Sequence, residues 1–178
     1  MSNRVEVKMS NTPIYMTPGC AKQIRAELKE LLYVKRPDTV SRITDAAAEG
    51  DRSENAEYIY GKRYLRKIDS RIHYLTKLIE AAQAVDPVGQ AKIADGRVLF
   101  GCTVTFEDED GNERTYSIVG VDEYDAAKGR ISWVSPIGKA LLKSREGDVV
   151  TYKSPQGVKE LEIIKVAYLP IDTKLNTR

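Results

Sequence analysis

The chain has 178 residues, 42% of them hydrophobic and 30% charged, which fits a folded protein of one large domain or two small ones. The formal net charge of +2 excludes a uniformly basic nucleic-acid-binding protein, so any electrostatic signal lies in how the charge is distributed. Cys20, Cys102 and the single His73 exclude the usual zinc patterns and argue against a disulfide framework. Without a secretory signal or an apolar run of roughly 18 residues, the sequence predicts a cytoplasmic protein with no membrane partner.

Residues 1–12 are predicted to be a flexible leader, followed by a long helix. This helix is predicted to begin at Thr17, whose hydroxyl precedes Pro18 at the first helical position. Pro37 lies inside the helix, so a kink or short break is expected just before it. The apolar stripe of the helix consists of Ile24, Leu28, Leu31, Val40, Ile43 and Ala47.

A second helix follows a few residues later, and its apolar positions recur every three and four residues, as in a coiled-coil seam. The seam consists of Tyr58, Gly61, Leu65, Ile68, Ile72, Leu75 and Ile79. Because the connection is short, the two helices must be antiparallel neighbours. Residues 13–85 are therefore predicted to form an antiparallel coiled-coil hairpin with an acidic tip at 49–55 and arms of roughly 45 Å.

The remainder predicts an α+β domain over residues 97–170, after a linker at 86–96 and before a tail at 171–178. From Val98 the apolar period changes to two, as in a half-buried strand. The alternating positions are Val98, Phe100, Cys102, Val104 and Phe106. Later strands and the segment SPIGKALLK complete a small antiparallel sheet with one short helix.

Positive charge is concentrated on the second helix. Six basic residues stand between Gly61 and Glu80 and are opposed only by Asp69 and Glu80: Lys62, Arg63, Arg66, Lys67, Arg71 and Lys77. They are typical of a solvated coiled-coil exterior, but equally of a surface that binds a polyanionic strand. Tyr60, Tyr64 and Tyr74 lie off the seam among these cations and are candidates for base stacking.

The motif GDRSENAEY, residues 50–58, places two carboxylates at the bend of the hairpin. Asp51 as N-cap and Glu54 three residues later fit a capping box at the positive end of the helix dipole. The same helix terminus keeps both carboxylates ionised, and carboxylate oxygens are preferred ligands of Mg²⁺. Both interpretations stay open, and the second predicts half of a metal site that a partner completes.

Three segments together resemble the bacterial Gre transcript-cleavage factors, GreB more closely than GreA: GDRSENAEY, the basic run KRYLRKIDSRIHYLTK at 62–77, and VGVDEYDAAKGRISWVSPIGKALLKSREGD at 119–148. The resemblance implies an FKBP-like C-terminal domain that docks on RNA polymerase at the rim of its secondary channel. The coiled coil of a monomer then enters the channel, where its tip activates the polymerase's own hydrolysis of backtracked RNA. The protein itself is thus not expected to be an enzyme.

By position in these motifs, the resemblance implies that Asp51 and Glu54 are the catalytic residues, binding a Mg²⁺ shared with the polymerase and not held stably by the free protein. Further implied roles are tip support by Ser53, Asn55 and Tyr58, contact with the RNA 3′ end by Lys62, Arg63, Arg66, Lys67 and Arg71, and docking by Asp122, Glu123, Ser135 and Pro136. The alternative is a non-cleaving Gre-like regulator of the same channel. No aromatic-rich pocket pattern is found in residues 98–168, so prolyl isomerase activity is not inferred.

Overall fold

The computed structural model describes residues 13–48, 50 and 55–171. Its helices are α1 (Pro18–Glu30), α2 (Arg36–Ala48), α3 (Ala56–Ala81), α4 (Pro87–Ala94) and α5 (Pro136–Leu141), with a π-helical turn at Leu31–Lys35. Its strands are β1 (Ile14–Met16), β2 (Ala82–Ala84), β3 (Thr103–Asp108), β4 (Glu113–Val119), β5 (Arg130–Ser132), β6 (Val149–Ser154) and β7 (Gly157–Ala167). The predicted leader, the residues Asp51, Ser53 and Glu54, and residues 172–178 lie outside the described residues.

The irregularity predicted before Pro37 is present as a π-helical turn at Leu31–Lys35, which interrupts the α-helix while the arm stays helical throughout. α1 begins as expected, with the Thr17 hydroxyl accepting a hydrogen bond from the Cys20 N–H at 3.2 Å. The π-helical turn joins α1 to α2, and the Arg36 N–H donates to the Leu31 carbonyl five residues earlier. A proline ring clashes with the carbonyl four residues before it in a regular α-helix, and the wider π turn accommodates the ring instead.

The seam predicted on α3 is confirmed, because all seven of its positions are buried or half-buried. On the first arm Ile43 and Ala47 are half-buried as predicted, and the prediction fails beyond the π turn at Val40. Val40 is 38% exposed, whereas Thr39 and Ala46 are buried. A π turn contains more residues than an α turn, so a constant helical period assigns the wrong residues to the inner face after it. The core of the hairpin consists of Met16, Cys20, Ala21, Ile24, Leu31, Ile68, Leu75 and Leu78.

Short strands close the base of the hairpin, and a helix replaces the predicted linker. β1 pairs in parallel with β2, and the Val85 N–H donates to the Met16 carbonyl at 2.8 Å. α4 then begins at Pro87, where the Asp86 carboxylate caps it by accepting from the Gly89 N–H at 3.0 Å. Asp86 followed by Pro87 is an N-cap with proline at the first helical position, so much of the predicted linker at 86–96 is helical.

The C-terminal sheet has five strands in the order β5-β4-β3-β7-β6 and is mixed, since β5 pairs in parallel with β4. The α+β class is confirmed, but the sheet is not purely antiparallel. β3 begins at Thr103 rather than at Val98, although Val98, Phe100 and Cys102 are all buried. An alternating apolar pattern can therefore continue from a strand into a tight turn; here the Cys102 N–H donates to the Leu99 carbonyl. Among the described residues, each helix is too short or too polar to cross a bilayer.

Candidate functional site

The tip of the hairpin is fixed by Asn55. Its side-chain oxygen accepts a hydrogen bond from the Tyr58 N–H at 3.2 Å and so caps α3. Its side-chain nitrogen donates to the Ala46 carbonyl at 2.9 Å, which ties the start of α3 to the last turn of α2. The capping role predicted for Asp51 therefore belongs to Asn55, an equally good N-cap residue. The N-cap of α3 is thus Asn55, while Asp51 and Glu54 lie outside the described residues.

Tyr58 lies half-buried in the first turn of α3, and the Lys62 ammonium group is 5.5 Å from its ring centroid. Together with Asn55 it forms the described part of the predicted tip. Across the described residues, no three histidine, cysteine, aspartate or glutamate side chains are grouped closely enough to bind a metal ion.

A groove of about 570 Å³ runs between α2 and α3 directly below the tip. The two helices approach closely at Gly61, where an added Cβ atom would lie 2.7 Å from Cγ1 of Ile43. The groove is lined by Asp38, Thr39, Arg42, Ile43, Asp45, Ala46, Glu57, Tyr60, Gly61 and Tyr64. Arg42 pairs with Asp38 at 3.1 Å, so Asp45 and Glu57 supply the unbalanced charge of this lining.

The basic residues of α3 divide between its two flanks. Arg63 and Lys67 follow the groove-lining tyrosines Tyr60 and Tyr64 by three residues each, and side chains at this spacing share one face of a helix. Lys62 and Arg66, four residues apart, lie on the opposite flank, and all four cations are exposed. The Arg63 guanidinium lies 5.9 Å from the Tyr60 ring centroid. Arg63 and Arg66 are also three residues apart, so the predicted basic patch is one exposed surface, and its Arg63–Lys67 side adjoins the groove.

Arg71 has a structural role that the sequence did not reveal. Its Nε and Nη2 atoms donate to the two carboxylate oxygens of Glu27 at 2.7 and 2.9 Å, a bidentate pair that ties α3 to α1. The hydrogen bond to Glu27 raises the pKa of Arg71 above its ordinary value. The predicted role of Arg71 in RNA contact stays a prediction, and the structure adds that its charge is paired within the hairpin.

Glu123, predicted to dock on the polymerase, is instead buried where the base of the hairpin meets the C-terminal domain, a region termed the junction. Its side chain is only 1% exposed. Its carboxylate accepts hydrogen bonds from the Thr17 hydroxyl, from the Thr17 N–H at 3.1 Å and from the Gly120 N–H at 3.0 Å. A buried carboxylate with internal donors is not available to a partner, so this prediction is corrected.

Other contacts complete the junction. The Tyr74 hydroxyl donates to Asp122 at 2.8 Å, and burial together with this hydrogen bond raises the pKa of Tyr74 to about 12. The Tyr15 ring packs against Phe100 and Trp133, with centroid distances of 5.6 and 5.3 Å. The base of the hairpin is therefore attached to the C-terminal domain by both polar and aromatic contacts.

Ser135 and Pro136 begin α5. The Ser135 hydroxyl accepts from the Gly138 N–H at 3.0 Å and donates to the Ser132 carbonyl at 2.6 Å, the geometry of an N-cap. Pro136 is exposed at the first helical position. Of the four predicted docking residues, Pro136 is exposed, Asp122 and Ser135 are half-buried, and Glu123 is buried.

The C-terminal domain contains an aromatic-lined cavity that the sequence analysis missed. It measures about 210 Å³, and Phe106, Tyr116, Tyr152 and Ile137 contribute to its wall. These residues come from β3, β4, β6 and α5, so no local sequence pattern brings them together.

Comparison with known proteins identifies the family. A family model described as the N-terminal domain of transcription elongation factors matches residues 14–84, and one described as "Transcription elongation factor, GreA/GreB, C-term" matches residues 93–168. The chain is 46% identical over 163 residues to transcription elongation factor GreB of Neisseria meningitidis serogroup B, covering 92% of this chain and 99% of that protein. It is 43% identical over 170 residues to GreB of Pseudomonas aeruginosa, covering 96% and 99%.

Among solved structures, GreA factor homolog 1 of Thermus thermophilus is similar with a TM-score of 0.40 at 21% identity, covering 88% of this chain and 99% of that one. The two family models together span most of the chain, and the relatives align over nearly their whole length. The protein therefore belongs to the GreA/GreB family of transcription elongation factors. The predicted resemblance, including its closer similarity to GreB, is confirmed.

Proposed function

We propose that this elongation factor stimulates RNA polymerase to cleave backtracked nascent RNA, acting from the secondary channel of the polymerase. The observation that carries the proposal is the place of the motif at 50–58, between the distal ends of α2 and α3, where Asn55 caps α3. We infer that Asp51 and Glu54 act on a partner from this end of the hairpin. The acidic residues lie at one end of the hairpin and the C-terminal domain lies at the other. Such a shape is suited to reach into a narrow passage.

The chemistry at the tip follows from the donor set. Two carboxylates are hard oxygen ligands of the kind that Mg²⁺ prefers, and they leave the other ligand positions to the polymerase and the RNA. When bound, Mg²⁺ lowers the pKa of an attacking water and neutralises charge at the phosphate being cleaved. In this proposal, the elongation factor holds Asp51 and Glu54 in position and binds the RNA beside them. The hydrolytic site itself belongs to the polymerase.

Docking is assigned to the C-terminal domain, with the accessible Asp122 and Pro136 as the contact candidates. Glu123 contributes indirectly, because it holds the base of the hairpin against that domain. Factor binding and RNA cleavage are thereby assigned to different ends of the molecule.

The experiment adds the protein and Mg²⁺ to arrested elongation complexes and measures the length of the RNA. Wild-type protein is expected to shorten the RNA, whereas Asp51→Asn and Glu54→Gln are expected to abolish shortening and to retain affinity for polymerase. Glu80→Gln is the matched control, since this carboxylate lies on the same helix but near its other end. Unchanged cleavage by both tip variants would contradict the proposal. Slower RNA synthesis without cleavage by the wild type would instead support the non-cleaving regulator.

A further inference from the structure

We propose that the groove between α2 and α3 is a nucleobase-binding site, in which Tyr60 and Tyr64 stack a base of the extruded RNA while Arg63 and Lys67 bind its phosphates. The inference rests on the part of the proposed function in which the hairpin reaches RNA inside the polymerase. To the RNA contact that the resemblance implies for Arg63 and Lys67, it adds a base-stacking site formed by Tyr60 and Tyr64, to which the resemblance assigns no role.

The aromatic part of the site is two exposed tyrosines one helical turn apart. Tyr60 is 65% exposed and Tyr64 is 50% exposed, and both line the groove. Tyrosine rings usually bury much of their area in a core or an interface, so two neighbouring exposed rings are available to a partner. Stacking of a base on an aromatic ring needs no sequence readout, because every base has a π-face. A factor that acts on many transcripts requires this tolerance.

The cationic part of the site lies on the same flank of α3. Neither Arg63 nor Lys67 forms an ion pair within the described part of the chain, in contrast to Arg36, which pairs with Asp69 at 2.8 Å. From residue 60 to residue 67 the helix rises about 10 Å, which corresponds to about three nucleotide steps of 3.4 Å. Rings and cations therefore alternate along α3 at a spacing that fits a short single strand.

The carboxylates of the groove determine the orientation of that strand. Asp45 and Glu57 line the groove and form no ion pair within the described residues. They repel phosphates, but a carboxylate accepts hydrogen bonds from the amino groups on base edges. A strand on this surface therefore turns its bases toward the groove and its phosphates toward Arg63 and Lys67. The groove, at about 570 Å³, is within the size range of small-molecule binding sites.

The test uses backtracked complexes that carry 2-aminopurine, a fluorescent base, in the extruded RNA. Wild-type protein is expected to quench the fluorescence by stacking. Tyr60→Ala and Tyr64→Ala are each expected to reduce the quenching and to weaken binding to backtracked complexes about tenfold. The matched variants Tyr60→Phe and Tyr64→Phe keep the ring and are expected to behave like the wild type.

Salt dependence separates the two halves of the site. Arg63→Ala and Lys67→Ala should each lower the slope of log affinity against log salt by about 0.7, the value for one phosphate contact with a single strand. The tyrosine variants should leave this slope unchanged. Circular dichroism confirms that each variant is folded before it is compared.

Quenching and affinity that are unchanged in both alanine variants would overturn the inference. It would also be overturned if these variants lost affinity equally in complexes without extruded RNA, because the groove would then bind a segment of the polymerase. Failure of the proposed function gives a different result: the wild type does not shorten the RNA. Quenching by a protein that does not promote cleavage would still support the base site.

Discussion

The two ends of the hairpin are built differently. At the base, Ile24 and Leu75 are at most 1% exposed, and Glu123 has three internal hydrogen-bond donors. Toward the tip, Gly61 and the half-buried Ile43 bring the helices together, and Tyr60 remains largely exposed. The base is thus packed like the interior of a domain, whereas the distal end leaves its polar and aromatic groups accessible.

This difference separates stability from binding. The free energy of local unfolding is large in regions with many buried apolar contacts and smaller in regions with few such contacts. A hairpin attached firmly at one end tolerates a distal surface that is adapted to partners rather than to packing. Substitutions at the base should therefore affect folding, and substitutions near the tip should affect function.

The largest expected effect is on the packing of the base. Leu75→Ala removes a fully buried side chain and should lower the free energy of unfolding by about 3 kcal/mol. Ile43→Ala is the distal counterpart and should cost about 1 kcal/mol, because this side chain is only half-buried. Urea denaturation measures both values. Equal losses would contradict the contrast between the two ends.

Removal of the Glu123 carboxylate should cause the next largest loss in the free energy of unfolding. Glu123→Ala leaves the N–H groups of Thr17 and Gly120 without their buried acceptor, at a cost of about 2 kcal/mol. Two spin labels, one on α3 and one on the C-terminal sheet, should show a broader distance distribution in this variant.

The control for this experiment is Asp122→Asn, which keeps an acceptor for the Tyr74 hydroxyl and should preserve the wild-type distances. Cleavage in Glu123→Ala should fall more than affinity for polymerase, since the docking surface remains while the position of the tip changes. A narrow distribution in Glu123→Ala would show that the aromatic contacts of Tyr15 suffice to hold the junction.

A smaller effect is expected from the ion pair between the arms. Arg71→Ala should lower the free energy of unfolding by about 1 kcal/mol, because the bidentate pair with Glu27 is partly exposed and screened by solvent. Arg42→Ala removes an exposed pair with Asp38 on a single helix and should cost about 0.3 kcal/mol. Increasing salt should reduce the first difference. A loss of RNA affinity in Arg71→Ala with unchanged stability would support its predicted role in RNA contact.

Thiol labelling follows the opening of each region without changing its stability. Burial, with the nearby Glu123 and Asp122, raises the pKa of Cys20 to about 12, and burial raises that of Cys102 to about 11. At pH 8 both groups are protonated and shielded, so a thiol reagent should react only when the local structure opens. Leu75→Ala should accelerate labelling of Cys20 and leave Cys102 unchanged. Equal acceleration at both cysteines would show that the two domains open together.

The local features of this molecule were predictable from the sequence. The α3 seam, the cap at Thr17 and the short helix in SPIGKALLK depend on neighbouring residues, and each lies where its pattern placed it. The π-helical form of the turn before Pro37 and the parallel pairing of β5 were missed, since neither leaves a distinct mark in the spacing of apolar residues.

Among the candidate site residues, too, local properties were predictable and contacts with distant residues were not. Arg71 was predicted to contact RNA and Glu123 to contact the polymerase. Their contacts within the chain, with Glu27 and Thr17, lie 44 and 106 residues away and could not be read from the local sequence. A charged residue in a sequence gives no indication of whether a distant residue neutralises it. The exposed tyrosines of α3 were recognisable because their position relative to the seam is a local property.

Because α3 is long, a small rotation of the hairpin at the junction moves its far end by a large distance. With 26 residues the helix extends about 39 Å, so a rotation of one degree at its base moves its far end by about 0.7 Å. A misplacement of 1 Å can reduce the rate of a positioned reaction about a hundredfold. For the tip chemistry proposed above, the angular tolerance is therefore about one degree, and Glu123 is one of the junction side chains that hold this angle, together with Tyr74 and Tyr15.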